Sequence, residues 1–134
     1  MKNYTLLFTF IFVLFSCSSE NSDKNTEYYG KWVQYTNAQY ADDPSSNQYS
    51  YEFNRNKTFT KTRNYDNTTT RLSGSFKIIN SEGRTHFVLT YTERNSLISN
   101  CNGSLSESFT LDNLGYLNDD AVACDRYGKY KKAK

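Results

Sequence analysis

Tyr28-Tyr29-Gly30-Lys31-Trp32-Val33-Gln34-Tyr35-Thr36 is rich in aromatic and β-branched residues and reads as a strand. Gly30 and Trp32 are two positions apart, so a pleated backbone turns both to the same side. The same two-residue logic runs outward along the chain. Residues 48–54 alternate Tyr49, Tyr51 and Phe53 against Gln48, Ser50 and Glu52, the pattern of a half-buried strand. Asn54-Arg55-Asn56-Lys57 reads as a turn, because Asn tolerates left-handed backbone. Residues 57–65, Thr-rich and carrying Phe59, complete a hairpin. A second turn at Asp66-Asn67-Thr68 leads into 72–78, where Leu72, Phe76 and Ile78 share a face and Gly74 suggests a bend. Ser81-Glu82-Gly83-Arg84 then turns the chain into 85–93, with Phe87, Leu89 and Tyr91 opposite His86, Val88 and Thr90. Beyond Arg94-Asn95-Ser96 the pattern weakens. Residues 97–100, 107–112 and 115–117 are shorter strand candidates, and 127–132 supplies a last one. About eight strands so spaced predict an all-β sandwich or barrel, and no window sustains a helical period.

Gly30-x-Trp32 on a first strand, directly after a polar tether, resembles the opening motif of lipocalins and of the lipocalin-like domains in Bacteroidota lipoproteins. The resemblance implies a small antiparallel up-and-down β-barrel in which Trp32 plugs one end. A basic side chain near the last strand packs across it in that family, and Arg126, Lys129 and Lys131 are the candidates here. The Thr-Asp-Tyr turn of larger lipocalins and a C-terminal helix are both missing from the pattern, so a β-sandwich stays open as the alternative. The family resemblance also implies a small apolar ligand. Tyr51, Phe53, Phe59, Phe76, Phe87, Tyr91 and Phe109 would then line its cavity. The competing reading has the same rings filling the barrel, with function on the loops as a protein-interaction module of the envelope. Residues 37–47, a polar connection with Tyr40 and Pro44, are the loop that reading favours.

Leu14-Phe15-Ser16-Cys17 resembles a bacterial lipobox behind the basic start Met1-Lys2-Asn3. The resemblance implies that residues 1–16 are a signal peptide, that Cys17 is lipidated, and that 17–27 tether a domain spanning 28–134. The apolar run from Tyr4 to Phe15 has twelve residues, interrupted by Thr5 and Thr9. A spanning helix needs roughly 20, whereas a secretory h-region needs about 7–15. Ser18 in the position after Cys17 resembles lipoproteins sent to the outer membrane, and Glu20 and Asp23 resemble surface-export signals. The expected partners are therefore the membrane, through lipid, and either an apolar ligand or an envelope protein.

Of 134 residues, cleavage would leave 118, the size of one domain, with a side-chain charge balance of +1. That balance is no nucleic-acid footprint, which is a strongly basic face. Eleven Tyr, five Phe and Trp32 remain after cleavage, so the core should be aromatic. With Cys17 acylated, Cys101 and Cys124 are the remaining thiols, and in an exported chain an even pair reads as one disulfide. Closing that loop contributes about 3 kcal/mol on the chain-entropy model. A single His argues against a zinc site. His86 falls on the strand face opposite Phe87 and Leu89, and the carboxylate pairs Asp42-Asp43 and Asp119-Asp120 read as solvated charge. No nucleophile elbow, phosphate-cradling loop or nucleotide fingerprint is present. The expectation is a non-enzymatic domain without a cofactor.

Overall fold

The computed structural model describes residues 26–35, 48–124 and 128–134, and in it the alternating stretches form one antiparallel sheet closed on itself. Its strands are β1 (Gly30–Gln34), β2 (Gln48–Phe53), β3 (Thr58–Tyr65), β4 (Thr68–Ser81), β5 (Arg84–Tyr91), β6 (Ser106–Leu111), β7 (Tyr116–Asp119) and β8 (Lys129–Lys132). Each pairs with the next in sequence, and β1 pairs with β8, with Trp32 opposite Lys132 and Gln34 opposite Tyr130. That last ladder excludes the sandwich. The expected eight-stranded up-and-down barrel is what the chain forms.

Turn chemistry sets the hairpin registers. Asp66 and Asn67 both have positive φ, as do Glu82 and Gly83, the backbone of two-residue turns whose twist matches that of the strands they join. Lys57 also adopts φ 65°, and its N–H donates to Asn54 O at 3.0 Å to close the turn between β2 and β3.

Three expectations need correction. Residues 97–100 are not a strand, because Asn95 folds them into a turn: its Oδ1 accepts from Leu97 N at 3.0 Å and its carbonyl from Ile98 N at 3.1 Å. β4 runs well beyond 72–78, since polar Thr69, Thr70 and Arg71 pair with β3 and Lys77 to Asn80 pair with β5. The basic side chain that shares the face of Trp32 is Lys132, its direct cross-strand neighbour; Lys129 and Lys131 belong to the opposite face, and Arg126 lies outside the described residues. The lipobox with Cys17, the expected tether up to residue 25 and the connection expected at 37–47 also lie outside them.

The two ends of the barrel differ. At one end a 3₁₀ turn (Thr26–Tyr28) crosses the opening, held by Trp32 Nε1 donating to Tyr28 O at 3.1 Å and by Lys132 Nζ donating to Glu27 O. Trp32 and Tyr28 both pack edge-on against Phe87, which seals that end. At the other end, residues 92–105 connect β5 to β6 and a second 3₁₀ turn (Ala121–Cys124) follows β7. Cys101 and Cys124 are joined there by the expected disulfide, with Cα atoms 5.6 Å apart.

Gly74 faces inward between Leu72 and Phe76, directly opposite Phe59 on β3 and Tyr91 on β5. Both ladders run through it without an inserted residue, so its role is room: a Cβ there would sit 2.0 Å from Thr90 O and 2.8 Å from Phe59 Cε1. The Phe59 and Tyr91 rings meet at 5.0 Å, nearly perpendicular. Gly74→Ala is expected to lower stability by about 1–3 kcal/mol through overpacking, read as a lower urea midpoint at unchanged slope.

Candidate functional site

All seven aromatic residues expected to line a cavity point into the barrel, and each is at most 3% exposed. They form one connected set of rings. Phe109 meets Tyr51 at 5.0 Å, Tyr51 stacks on Phe53 at 6.2 Å, and Phe53 touches Phe76 at 4.8 Å, Phe87 at 5.2 Å and Phe59 at 6.4 Å. Tyr91 completes the set through Phe59, and Tyr130 of β8 packs edge-on against Tyr51 and Phe109. The side chains thus occupy the interior by packing on one another, with edge-to-face geometry that adds to their area burial.

Within this aromatic interior, near the end closed by the disulfide, stands an ion pair that pattern reading passed over. Lys61 Nζ lies 2.6 Å from Glu107 Oε1, and the two residues are 3% and 2% exposed. Glu107 is fully engaged: Oε1 also accepts from Ser99 N, and Oε2 accepts from Tyr51 Oη at 2.8 Å and Tyr91 Oη at 2.5 Å. Lys61 donates a further bond to Leu97 O at 2.6 Å, and its ammonium sits 5.1 Å and 5.3 Å from the ring centroids of Tyr49 and Tyr51. Among the described residues no buried side-chain nitrogen or oxygen lacks a partner. A carboxylate accepting three hydrogen bonds in addition to that of a contacting ammonium is the arrangement that lets charge persist in a low-dielectric interior. The tyrosines feel the same surroundings. Burial, and then the charge and hydrogen bond of Glu107, push the Tyr91 hydroxyl far above its ordinary value, and burial likewise raises Tyr51 and Tyr130, so all three stay protonated, and Tyr51 and Tyr91 donate to Glu107.

A sequence signal for this pair existed. Lys61 has the parity of Phe59 on β3, and Glu107 has the parity of Phe109 on β6, so each is a charge at an inward position of an otherwise aromatic face. Opposite charges on inward parities of two strands imply partners.

Asp119 also departs from expectation. Rather than solvated charge, it is 4% exposed, and its Oδ1 accepts from Ala121 N at 2.8 Å, which starts the 3₁₀ turn at 121–124. Asp120, its neighbour, points outward and accepts from Thr110 Oγ1 at 2.8 Å. His86 sits on the outer face as expected, half-buried, with Nδ1 3.1 Å from Thr110 Oγ1. Lys129 lies over the Tyr116 ring at 4.1 Å and 3.7 Å from Asp112 Oδ2. Asp120 borders a surface pocket that Ser99, Ser106, Glu107 and Ser108 also line. No set of three or more His, Cys, Asp or Glu that could hold a metal ion occurs among the described residues. The Asp42-Asp43 pair lies outside them.

The ion pair predicts a specific mutational pattern. Lys61→Met leaves Glu107 charged and unbalanced in the core and is expected to cost about 3–5 kcal/mol. Adding Glu107→Gln should restore roughly half of that loss or more, which a double-mutant cycle in urea measures. Asp119 predicts a pH effect. Burial raises its carboxyl pKa above the ordinary 3.8, outweighing the Ala121 and Ser99 hydrogen bonds. The folded protein therefore holds that proton more tightly than the unfolded chain. Ionised Asp119 costs stability above its raised pKa, and the cost disappears as pH falls through it. Asp119→Asn keeps an acceptor for Ala121 N, so the urea midpoint should rise at about pH 7 and be nearly unchanged at about pH 4.

No protein-family model, no curated protein and no solved structure matches this chain.

Proposed function

We propose that this chain is a lipid-anchored, non-enzymatic protein of the bacterial cell envelope, most consistent with the outer membrane, whose filled lipocalin-like barrel presents its disulfide-tied loop end to an envelope partner. The observation that carries the reading is the connected ring set: the residues available to line a ligand cavity pack against one another instead. Lipidation at Cys17 rests on the lipobox-like Leu14-Phe15-Ser16-Cys17 and on a run too short to span a bilayer.

The distribution of polarity supports a lipid tether over a barrel that spans the bilayer by its own strands. Transmembrane barrels turn apolar residues outward and polar ones inward. Here the reverse holds, with Lys31, Glu52, Arg71, Ser73, Ser75 and Lys77 exposed on the outer face and the phenylalanines inside. Topology adds a direction. The described chain enters at the Trp32 end, so a tether on Cys17 attaches there and leaves the opposite end free. At that free end lie the hairpin tip Asp66-Asn67 and the disulfide-tied segments 92–105 and 121–124.

Two measurements test the proposal. In a bacterial host, incorporation of a palmitate analogue should label the wild-type chain, while Cys17→Ser should stay unlabelled and leave the membrane fraction; equal labelling of the two sinks the anchor. The Cys17→Ser protein, sprayed under native conditions, is expected to show the bare polypeptide mass. A small-molecule mass released on denaturation would instead establish a carrier and overturn the filled-barrel reading.

A further inference from the structure

The end of the barrel away from Trp32 is covered by a segment that belongs to no ladder. Residues 92–105 leave the sheet after Tyr91 and rejoin it at Ser106, while β5 and β6 pair directly beneath, with Thr90 opposite Ser106. Within the segment, Ile98 is 6% exposed and belongs to the core. The two peptide groups flanking it are both held by the buried ion pair: Lys61 Nζ donates to Leu97 O, and Glu107 Oε1 accepts from Ser99 N. Leu97 and Ile98, the two bonds to buried charges, the Ser99 hydrogen bond to Asp119 and the Asn100 Nδ2 bond to Ser106 O at 3.0 Å together seat the segment. Immediately after them comes Cys101, joined to Cys124. Cys124 ends the 3₁₀ turn that Asp119 fixes to β7, so the bridge fastens the segment to the sheet itself.

We infer that residues 95–101 are a redox-released lid: the Cys101–Cys124 disulfide is its catch, and reduction by a dithiol opens the mouth locally and brings the Lys61–Glu107 pair into contact with water. The chemistry balances with a dithiol as co-reactant. Its thiolate attacks Sγ of Cys101, the exposed partner, and half-buried Cys124 leaves as a thiolate that takes up a proton. The second thiol of the reagent then displaces Cys101. Two electrons and two protons pass to the cysteines, and the reagent leaves as a cyclic disulfide.

Energetics favour local over global opening. None of the strand pairings, including the closing β1–β8 ladder, uses a lid residue, so the barrel stays closed when the lid leaves. Against the exposure of Leu97 and Ile98 on opening stands the hydration regained by two charges that were removed from water at considerable cost. With the bridge intact, Cys101 cannot travel from Cys124, and that gain is out of reach. This inference stands apart from the question of what the free end binds.

Lys61 itself reports the opening. The full chain is treated with an amine-acetylating reagent before and after dithiothreitol, with labelled lysines identified by mass spectrometry and amide hydrogen exchange followed in parallel. In the oxidised protein Lys61 should react far more slowly than exposed Lys77. After reduction its rate, and the exchange of the Ile98 and Ser99 amides, should rise by about tenfold or more while β3, β4 and β5 keep their protection. Cys101→Ser with Cys124→Ser should show the same pattern without reagent. Unchanged Lys61 labelling on reduction overturns the lid, and so does a simultaneous loss of protection across β3–β5, which would mean global unfolding. Reoxidation should restore slow labelling.

Discussion

The ladder between β1 and β8 determines what the rest of the molecule has to do. Once Trp32 pairs with Lys132 and Gln34 with Tyr130, the sheet has no free edge, and every second residue of its eight strands is committed to a closed interior. An interior so small is filled by side chains when enough of them are large, and all five phenylalanines outside the signal-like segment are spent there. Gly74 follows from the same constraint. With Phe59 and Tyr91 directly opposite it on either neighbouring strand, a third side chain at that level has no space.

Closure also explains where the sequence was transparent. Period-2 alternation in residues 48–53, 58–65 and 84–91 needs only a pleat and one wet face, so those strands, the Asn54–Lys57 turn and the turns at either end of β4 were readable directly. At the Trp32 end the alternation already turned Trp32 to the inner side of β1, where it packs on Phe87. Its companion Lys132 was missed in favour of Arg126, Lys129 and Lys131, since choosing among closely spaced basic residues requires the β1–β8 register, a long-range fact that no local pattern contains. The 97–100 segment misled for a different reason. Leu97 and Ile98 look like strand residues, but their apolarity serves to cover the barrel's mouth, and Asn95 dictates a turn. Asp119 misled because an acidic pair usually belongs to solvent, whereas here the pleat turns one member inward.

The buried Lys61–Glu107 pair is the feature that a purely hydrophobic account of the barrel leaves unexplained. Apolar residues of similar volume at both positions would often give equal or greater stability. What the pair supplies is direction. An aromatic cluster packs almost anything apolar against itself, whereas Glu107 accepts from two particular tyrosines and one particular backbone amide, and Lys61 from its side donates to one particular carbonyl. Those bonds fix the rotamers of Tyr51 and Tyr91 and the course of residues 97–99 together.

The two ends of the barrel therefore use one solution with different consequences. Each is closed by a non-sheet segment whose backbone carbonyl accepts from a lysine: Glu27 O from Lys132 at one end, Leu97 O from Lys61 at the other. At the Trp32 end the lysine is exposed, so losing the contact returns little hydration and the aromatic contacts of Trp32 and Tyr28 with Phe87 decide the matter. At the opposite end the lysine is buried beside a carboxylate, and releasing the segment would return two charges to water. A disulfide is found at the second end, where the hydration of the charges opposes closure, and the noncovalent plug is found at the first, where nothing comparable does. That correspondence is the physical reason for placing the one covalent cross-link across 23 residues of weakly patterned chain rather than between two strands already held by their ladder.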